Sequence, residues 1–196
     1  MTLILRFPTV MPVESIPLIG ALSVARSIHS QFEIDSRVRW PNDVVVKRSK
    51  VAGLIAECHQ QGDSLKFVLL GIGVNANFES HELRDRKIEA ATLMDLNGGP
   101  IDSPRLVCNI LQELEELLSQ AASNPNQLLE LLRMRNYSTG RTIKIVTKDQ
   151  TIEGIFVDYQ SLDAIVVDSK VERVIVPAAS AILVEYPDHV WVGTSL

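Results

Sequence analysis

The chain has 196 residues and a mass of 21.7 kDa, enough for one ordinary domain or for a compact domain with a small appendix. Hydrophobic residues make up 46% and charged residues 22%, a composition typical of a folded globular chain rather than a disordered one. The net charge of −5 disfavours a general nucleic-acid coat and a binder of anionic membranes, since both are normally basic.

Cysteine usage and hydropathy bear on the compartment. The two cysteines, Cys58 and Cys108, cannot build a disulfide framework. The longest apolar stretch, residues 16–25, is interrupted by proline and glycine and is too short to cross a bilayer. We therefore predict a cytoplasmic protein that binds neither membrane nor DNA. Cys58 lies in an apolar run, which predicts a packed side chain rather than a nucleophile.

The first half of the chain predicts short strands around one long helix. From about Ser15 to Phe32, apolar residues recur at helical spacing. Residues 51–60 and 66–75 predict an antiparallel pair joined at Gly62. In all, the β-rich runs of this half, which polar turns separate, are Leu3–Phe7, Val38–Trp40, Val44–Lys47, Val51–Cys58 and Lys66–Val74.

The middle of the chain predicts a loop followed by two helices. Residues 76–90 are polar without useful periodicity, which favours a flexible loop. Ser103-Pro104 is a helix start, with an N-cap and a proline in the first turn, and an apolar stripe follows it. Asn124-Pro125 repeats the signal for a helix that ends near Arg135.

The last part of the chain is nearly all β-like. Its predicted strands follow one another at intervals of about ten residues, the rhythm of a small barrel. They are Thr142–Thr147, Thr151–Asp158, Ala164–Asp168, Glu172–Val176 and Ala181–Glu185. We therefore predict a boundary near residue 138, with an α/β domain over residues 1–138 and a barrel domain over residues 139–196.

Chemistry-bearing residues concentrate in the segment Arg39-Trp40-Pro41-Asn42-Asp43. It places a cation, an amide and a carboxylate on a turn that proline makes rigid. A carboxylate beside a cation suits a magnesium–phosphate site, with Asp43 near the metal and Arg39 near phosphate oxygens. Taken alone, the segment is better explained as an ordinary strand–turn–strand.

A second segment, Lys50–Glu57, contains a glycine inside a β-rich run. A glycine such as Gly53 weakens a strand, so its presence suggests that another group approaches the main chain closely at this position. Lys50, at the mouth of the strand, could act as a point charge for a carboxylate or a phosphate. A solvated turn lysine is the commoner case.

A third segment, Gly71-Ile72-Gly73-Val74-Asn75, closes a predicted strand. It is not a dinucleotide fingerprint, because it has no third glycine and no helix follows it. Two glycines at a strand end let a flat ligand lie against the main chain, and Asn75 could read an adenine-like edge. A β-bulge in a buried strand explains the glycines equally well.

The three segments, in this order and spacing, resemble the catalytic domain of biotin–protein ligases. That family carries a Lys-Trp-Pro-Asn-Asp box, a Lys-x-Ala/Gly-Gly-Ile/Leu-x-x-Glu strand and a Gly-Ile-Gly-x-Asn strand, with counterparts here at residues 39–43, 50–57 and 71–75. Residues 91–93 resemble the segment after the family's adenylate loop, and residues 141–185 resemble its SH3-like C-terminal barrel. The resemblance implies an α/β fold with a mixed sheet and flanking helices, followed by that barrel.

The resemblance implies a two-step ligase that uses biotin, ATP and Mg²⁺. Biotin and ATP would form biotinyl-5′-AMP, and biotin would then pass to a lysine of a biotin carboxyl carrier domain. By position, Lys50 would be catalytic, because it would contact the biotin carboxylate and the α-phosphate while negative charge grows. Residues 76–90 would close over the adenylate and keep water from it.

The resemblance also implies a set of ligand-contacting residues. Asp43 would be the Mg²⁺ ligand and, with Asn42, would place the phosphates. Leu54 and Gly53 would line the biotin side, whereas Asn75 would line the adenine side. Together with Lys50, the implied binding residues are Arg39, Trp40, Asn42, Asp43, Gly53, Leu54, Gly71, Gly73 and Asn75.

Two departures from the family pattern lead to further predictions. The box begins with Arg39 where the family usually has lysine, which replaces a compact ammonium by a planar fork. The family's Gly-Arg-Gly-Arg-x-Gly-Arg loop, which holds the biotin ring and the triphosphate, has no counterpart in these 196 residues. We therefore expect weak or absent ligase activity from residues 1–196 alone. The loop would be encoded upstream of an internal start, supplied by a separate N-terminal polypeptide, or lost in a degenerate remnant, and exposed strand edges would favour such a partner or a homodimer.

Two alternative functions stay open from the sequence. Lipoate–protein ligases are cousins with the same fold, although the tryptophan of the box and the C-terminal barrel favour biotin. A non-catalytic protein that binds an adenylate weakly, or docks onto a carrier domain, would also fit these residues.

Overall fold

The computed structural model describes residues 1–6, 11–62, 64–81 and 90–187. Their strands form two five-stranded sheets. The first sheet contains β1 (Thr2–Leu5), β2 (Ser36–Arg39), β3 (Asp43–Val46), β4 (Ser49–Gln61) and β5 (Ser64–Val74). The second contains β6 (Thr142–Val146), β7 (Thr151–Ser161), β8 (Ala164–Ser169), β9 (Arg173–Pro177) and β10 (Leu183–Glu185). The helices are α1 (Ile16–Phe32), α2 (Leu93–Asn97), α3 (Ser103–Ser123) and α4 (Pro125–Met134).

The first sheet has the strand order β1-β5-β4-β3-β2, so that β4 lies at its centre between β3 and β5. Neighbouring strands of this sheet pair antiparallel. Parallel pairing in the described residues is confined to two isolated bridges, Val38–Asn136 and Lys50–Ala90. The predicted α/β class with flanking helices is confirmed, and its mixed character is limited to those two bridges.

Helix α1 covers one face of the first sheet. Gly20 lets the helix come close, since a Cβ at this position would lie 2.6 Å from Leu54 Cδ2 on β4. Ala52 shares the face of Leu54 and is also buried. Side chains alternate along a strand, so Gly53 and Ile55 point to the opposite face. That opposite face bears the candidate site.

The register across three strands aligns candidate residues in one row. Asp43 on β3 pairs with Gly53 on β4, and Gly53 pairs with Gly73 on β5. The open face of the sheet therefore carries one carboxylate next to two positions without side chains. A row of this kind leaves main chain accessible to a neighbouring group.

The second sheet has the order β10-β6-β7-β8-β9, with antiparallel pairing between neighbours. Helix α4 anchors it, because Arg133 Nε donates to both carboxylate oxygens of Asp158 on β7, at 2.9 and 3.0 Å. After α4, the N–H of Tyr137 donates to the Val38 carbonyl on β2 at 2.8 Å. These contacts bring the second sheet next to one edge of the first. The domain boundary near residue 138 stays a proposal.

The predicted strands of the second sheet are all present. The last one begins at Leu183 rather than at Ala181, because Ala178–Ser180 form a short 3₁₀ helix before it. The strand predicted over Leu3–Phe7 is found as β1, which ends at Leu5. Phe7 itself lies outside the described residues.

Helix α2 was not predicted, although the sequence contains its signals. Thr92 caps it by accepting the N–H of Asp95 at 3.2 Å, and Gly98 follows its end in a left-handed conformation. Most of the predicted flexible loop, residues 82–89, lies outside the described part of the chain. Among the helices that are described, none combines the length and apolarity needed to span a membrane.

Candidate ligand-binding site

A cavity of about 520 Å³ lies between the two sheets, on the face of the first sheet that α1 leaves open. One wall comes from the turn between β2 and β3 and from the start of β4. The other comes from β10 and the residues on either side of it. Its lining residues are Arg39, Trp40, Pro41, Asn42, Asp43, Lys50, Gly53, Leu54, Ile55, Ala181, Ile182, Leu183, Val184 and Tyr186.

Three charged side chains meet in the first wall. Arg39 Nη2 donates to Asp43 Oδ2 at 2.7 Å, and Lys50 Nζ lies 2.5 Å from Asp43 Oδ1. The side chains of Arg39 and Asp43 are only 5% and 12% exposed, whereas that of Lys50 is 29% exposed. Two cations share one carboxylate in this cluster, which lies next to the cavity. Such a cluster suits a carboxylate or a phosphate.

Gly53 makes room for the Lys50 ammonium. A Cβ on Gly53 would lie 2.7 Å from both Cε and Nζ of Lys50, and 3.3 Å from Asp43 Oδ1. The close approach to the main chain that the sequence predicts at this glycine is therefore made by Lys50. A role of Gly53 and Leu54 in contacting biotin stays a prediction.

The two asparagines of the predicted site use their amides on the main chain. Asn42 Nδ2 donates to the Leu54 carbonyl at 2.7 Å, and the Leu54 N–H donates back to the Asn42 carbonyl at 3.0 Å. Asn75 Nδ2 donates to the carbonyls of Lys50 and Ala91, both at 3.2 Å. Asn42 thus fixes the turn before β3 against β4. Asn75 fixes the start of β4 against the segment that leads to α2.

Seven of the ten predicted site residues line the cavity. Gly71, Gly73 and Asn75 lie outside its walls because they belong to β5 or follow it directly, and β4 separates β5 from β3. Their assignment to a ligand stays a prediction. The contribution of the second sheet was missed altogether. No local pattern around Tyr186 indicates that this residue meets a turn 146 positions earlier in the chain.

The residues around Asp43 do not fit a magnesium ion held by the protein. Both carboxylate oxygens already face a cation, Arg39 on one side and Lys50 on the other. The described residues contain no group of three or more His, Cys, Asp or Glu side chains that could hold a metal ion. Asp43 is therefore engaged by two cations and does not fit the predicted role of a magnesium ligand.

A second, smaller cavity of about 280 Å³ adjoins the first and shares Pro41, Asn42 and Ile55 with it. Cys58 lines this cavity and is exposed, so the prediction of a packed thiol was wrong. The residue lies in the distal half of β4, most of which is exposed. Partial burial raises the pKa of the Cys58 thiol, and the negative charge of Glu14 raises it further by a smaller amount.

Comparisons with known proteins find similar chains among biotin protein ligases. The model of the Biotin/lipoate A/B protein ligase family matches residues 8–75. The bifunctional ligase/repressor BirA of Bacillus spizizenii is 29% identical over 160 residues, which cover 80% of this chain and 48% of that protein. The biotin–[acetyl-CoA-carboxylase] ligase of Mycobacterium tuberculosis is 28% identical over 149 residues, covering 76% of this chain and 53% of that protein. Over these residues the chain is similar to biotin protein ligases.

Solved structures of biotin protein ligases share the fold. The apo ligase of Aquifex aeolicus has a TM-score of 0.82 at 20% identity, covering 94% of this chain and 80% of that chain. The same ligase in complex with biotin and ATP gives a TM-score of 0.79, covering 94% of this chain and 77% of that one. The chain spans about half the length of the curated relatives it matches.

Proposed function

We propose that this chain provides the adenylation site of a biotin–protein ligase. Such an enzyme makes biotinyl-5′-AMP from biotin and ATP and passes biotin to a lysine of a biotin carboxyl carrier domain. The observation that carries the proposal is the Arg39–Asp43–Lys50 cluster in the wall of a 520 Å³ cavity. The match to the family model and the names of the curated relatives support the same reaction.

The charge balance of the cluster matches the adenylation step. A carboxylate oxygen of biotin attacks the α-phosphorus of ATP, the bond from the α-phosphorus to the bridging oxygen breaks, and pyrophosphate leaves with that oxygen. Both reacting groups are anions, so a cation between them lowers their repulsion and stabilises the charge that accumulates on the phosphorus. Lys50 Nζ is the more exposed cation of the cluster. It is therefore the group that meets the ligand in this proposal.

Asp43 and Arg39 position the Lys50 ammonium without contacting the ligand themselves in this proposal. Asp43 holds Nζ of Lys50 in place through one oxygen, while Arg39 occupies the other oxygen. Because Arg39 offsets the carboxylate charge, Lys50 keeps its attraction for an incoming anion. A planar guanidinium that is buried beside a carboxylate suits this backing role well. The Arg39 that departs from the family's lysine thus has a defined partner here.

The remaining walls of the cavity suit an apolar acyl chain. Leu183 and Val184 are partly buried residues of the lining, and Ile55 and Ile182 are 50% and 60% exposed beside them. A ligand with an apolar stem and an anionic end would bury the stem against these residues and place the end near Lys50. Biotin and lipoate both have this form, so the choice between them needs a direct test.

Competition binding distinguishes biotin from lipoate. Labelled biotin is dialysed to equilibrium against residues 1–196 with ATP, and unlabelled biotin or lipoate is added. We expect biotin to displace the label and lipoate to leave it bound. Absence of retained biotin, or displacement by lipoate at lower concentration than by biotin, would contradict the proposal.

The catalytic role of Lys50 is tested by single-turnover formation of biotinyl-AMP with protein in excess. We expect residues 1–196 alone to turn over weakly or not at all, since the family's Gly/Arg-rich loop is not among them. The rate of any adenylate formation should decrease about 100-fold in Lys50→Ala, because enzymes lose about this much rate when one donor that stabilises the transition state is removed. Robust turnover by Lys50→Ala would rule out this role.

A further inference from the structure

Three hydrogen bonds join the two sheets behind the cavity wall. The N–H of Trp40 donates to Ser138 Oγ at 3.2 Å, and Tyr186 Oη donates to the Trp40 carbonyl at 2.9 Å. Ser138 Oγ and Tyr186 Oη lie 2.6 Å apart. Each hydroxyl has a single hydrogen, and that of Tyr186 is used on Trp40, so Ser138 donates to Tyr186. The three groups form a closed cycle, in which each hydroxyl donates once and accepts once.

The whole cycle is shielded from water. Ser138 is fully buried, Trp40 is 2% exposed and Tyr186 is 4% exposed. A hydrogen bond inside a protein is stronger than one in water, and losing one partner leaves the other without a substitute. Burial raises the pKa of the Tyr186 phenol well above its ordinary value. The phenol therefore keeps its proton, and can donate it to Trp40, throughout the neutral range.

The ring of Tyr186 also contacts the charged cluster. Cζ of Arg39 lies 5.6 Å from the centroid of this ring, within the range of a cation–π contact. The same guanidinium donates to Asp43 at 2.7 Å. Arg39 thus contacts both Asp43 and Tyr186, and the Tyr186 hydroxyl also binds the carbonyl of Trp40, the next residue in the chain.

We propose that Tyr186 is a positioning residue for the adenylation site. It would act through its ring on Arg39 and through its hydroxyl on the Trp40 peptide. In this way it would hold the turn over residues 39–43 so that Asp43 orients Lys50. The inference rests on the proposed function. It implies that the second sheet helps to position the ammonium of Lys50.

The test compares Tyr186→Phe with Tyr159→Phe. Both tyrosines are nearly fully buried, but the Tyr159 hydroxyl donates to Asn136, and Tyr159 does not line the cavity. Calorimetry with a non-hydrolysable biotinyl-adenylate analogue measures affinity, below the melting temperature of each variant. We expect Tyr186→Phe to weaken binding about tenfold at unchanged stoichiometry, because the variant loses the contribution of one hydrogen bond. Tyr159→Phe should stay within about twofold of the wild type.

Ser138→Ala provides an independent break of the same cycle. Its matched control is Ser36→Ala, which removes another fully buried serine hydroxyl, one that donates to the Ala25 carbonyl at 2.7 Å. We expect Ser138→Ala to reproduce the effect of Tyr186→Phe and the double variant to add little, because both remove one unit. Ser36→Ala should not change the affinity. If the losses of affinity add in the double variant, the two hydroxyls do not act as one cycle.

Amide hydrogen exchange at Trp40 tests the cycle without any ligand. Exchange should be faster in Tyr186→Phe and Ser138→Ala than in the wild type and in Tyr159→Phe. Unchanged exchange would overturn the bridge, and faster exchange with unchanged affinity would overturn the positioning role. If the wild type itself fails to bind the analogue, the proposed function falls, and the positioning role with it. If all variants bind like the wild type, only the inference about Tyr186 falls.

Discussion

The contact between Gly53 and Lys50 shows how one missing side chain can shape a charged site. The ammonium of Lys50 occupies the space where a Cβ of residue 53 would lie. The colliding atoms are the far end of a flexible side chain, which can swing away into solvent. A methyl group at position 53 should therefore displace the cation without breaking the strand.

We expect Gly53→Ala to separate binding from stability. The variant should fold with a free energy of unfolding within about 1 kcal/mol of the wild type, because the ion pair that it breaks is partly exposed. Its affinity for a biotinyl-adenylate analogue should decrease at least about tenfold, since the cation leaves the cavity wall. Denaturant melts and calorimetry measure the two quantities.

The control for this variant is Gly99→Ala, where a Cβ would meet nothing within 4 Å. It should leave both stability and affinity unchanged. A Gly53→Ala protein with wild-type affinity would show that the position of Lys50 does not matter for the ligand.

Cys58 offers a pH-dependent test at the edge of the smaller cavity. Partial burial and the charge of Glu14 raise the pKa of this thiol above its ordinary value. The thiolate is the nucleophile, so alkylation of Cys58 by iodoacetamide should reach its midpoint at a higher pH than a model thiol. Mass spectrometry of rate against pH measures this midpoint. The Glu14→Gln variant should move it down, and an unchanged midpoint in that variant would contradict the assigned cause.

At the scale of the elements, pairing between β7 and β8 depends on Gly154. A Cβ at this position would collide with the Asp168 carbonyl and with Val167. Backbone atoms cannot swing away as the Lys50 side chain can. The same substitution, glycine to alanine, should therefore have opposite consequences in the two sheets.

We expect Gly154→Ala to lower the free energy of unfolding by about 2 kcal/mol or more, as overpacking does. Urea denaturation measures the change against Gly99→Ala as the neutral reference. A Gly154→Ala protein as stable as the wild type would show that β8 can shift at this point. The affinity of its folded fraction should stay unchanged, because neither Gly154 nor its neighbours on β8 line the cavity.

The elements could largely be predicted from the sequence because their signals are local. Alternation and turn residues located the strands of both sheets, and a proline in the first turn located the starts of α3 and α4. The predicted cap of α4, Asn124, is confirmed, whereas the N-cap of α3 is Asp102 and not Ser103 as predicted. Helix α2 was missed because five residues are too few for a periodic pattern, even with a threonine cap. In the first sheet only the antiparallel pairing of β4 with β5 was predicted, and that prediction is confirmed. The pairing of the other neighbours was not predicted, since strand order is a property of the whole chain.

At the scale of the whole molecule, the candidate site is built from segments that are distant in the chain. Arg39, Asp43 and Lys50 could be predicted because they lie within twelve residues of one another and form a recognisable pattern. Tyr186 and the residues around β10 could not, because only the packing of the two sheets brings them to the cavity. Register likewise put Gly73 next to Gly53 but one strand further from the cavity.

We expect the cavity to bind an acyl-adenylate through the ammonium of Lys50. The most direct measurement is a calorimetric titration of a non-hydrolysable biotinyl-adenylate analogue into the wild type, Lys50→Ala and Lys66→Ala, the last removing an exposed lysine of β5. We expect one site per chain, a loss of affinity of at least about tenfold in Lys50→Ala, and no change in Lys66→Ala. Equal affinities for the wild type and Lys50→Ala, or no binding to the wild type, would contradict it.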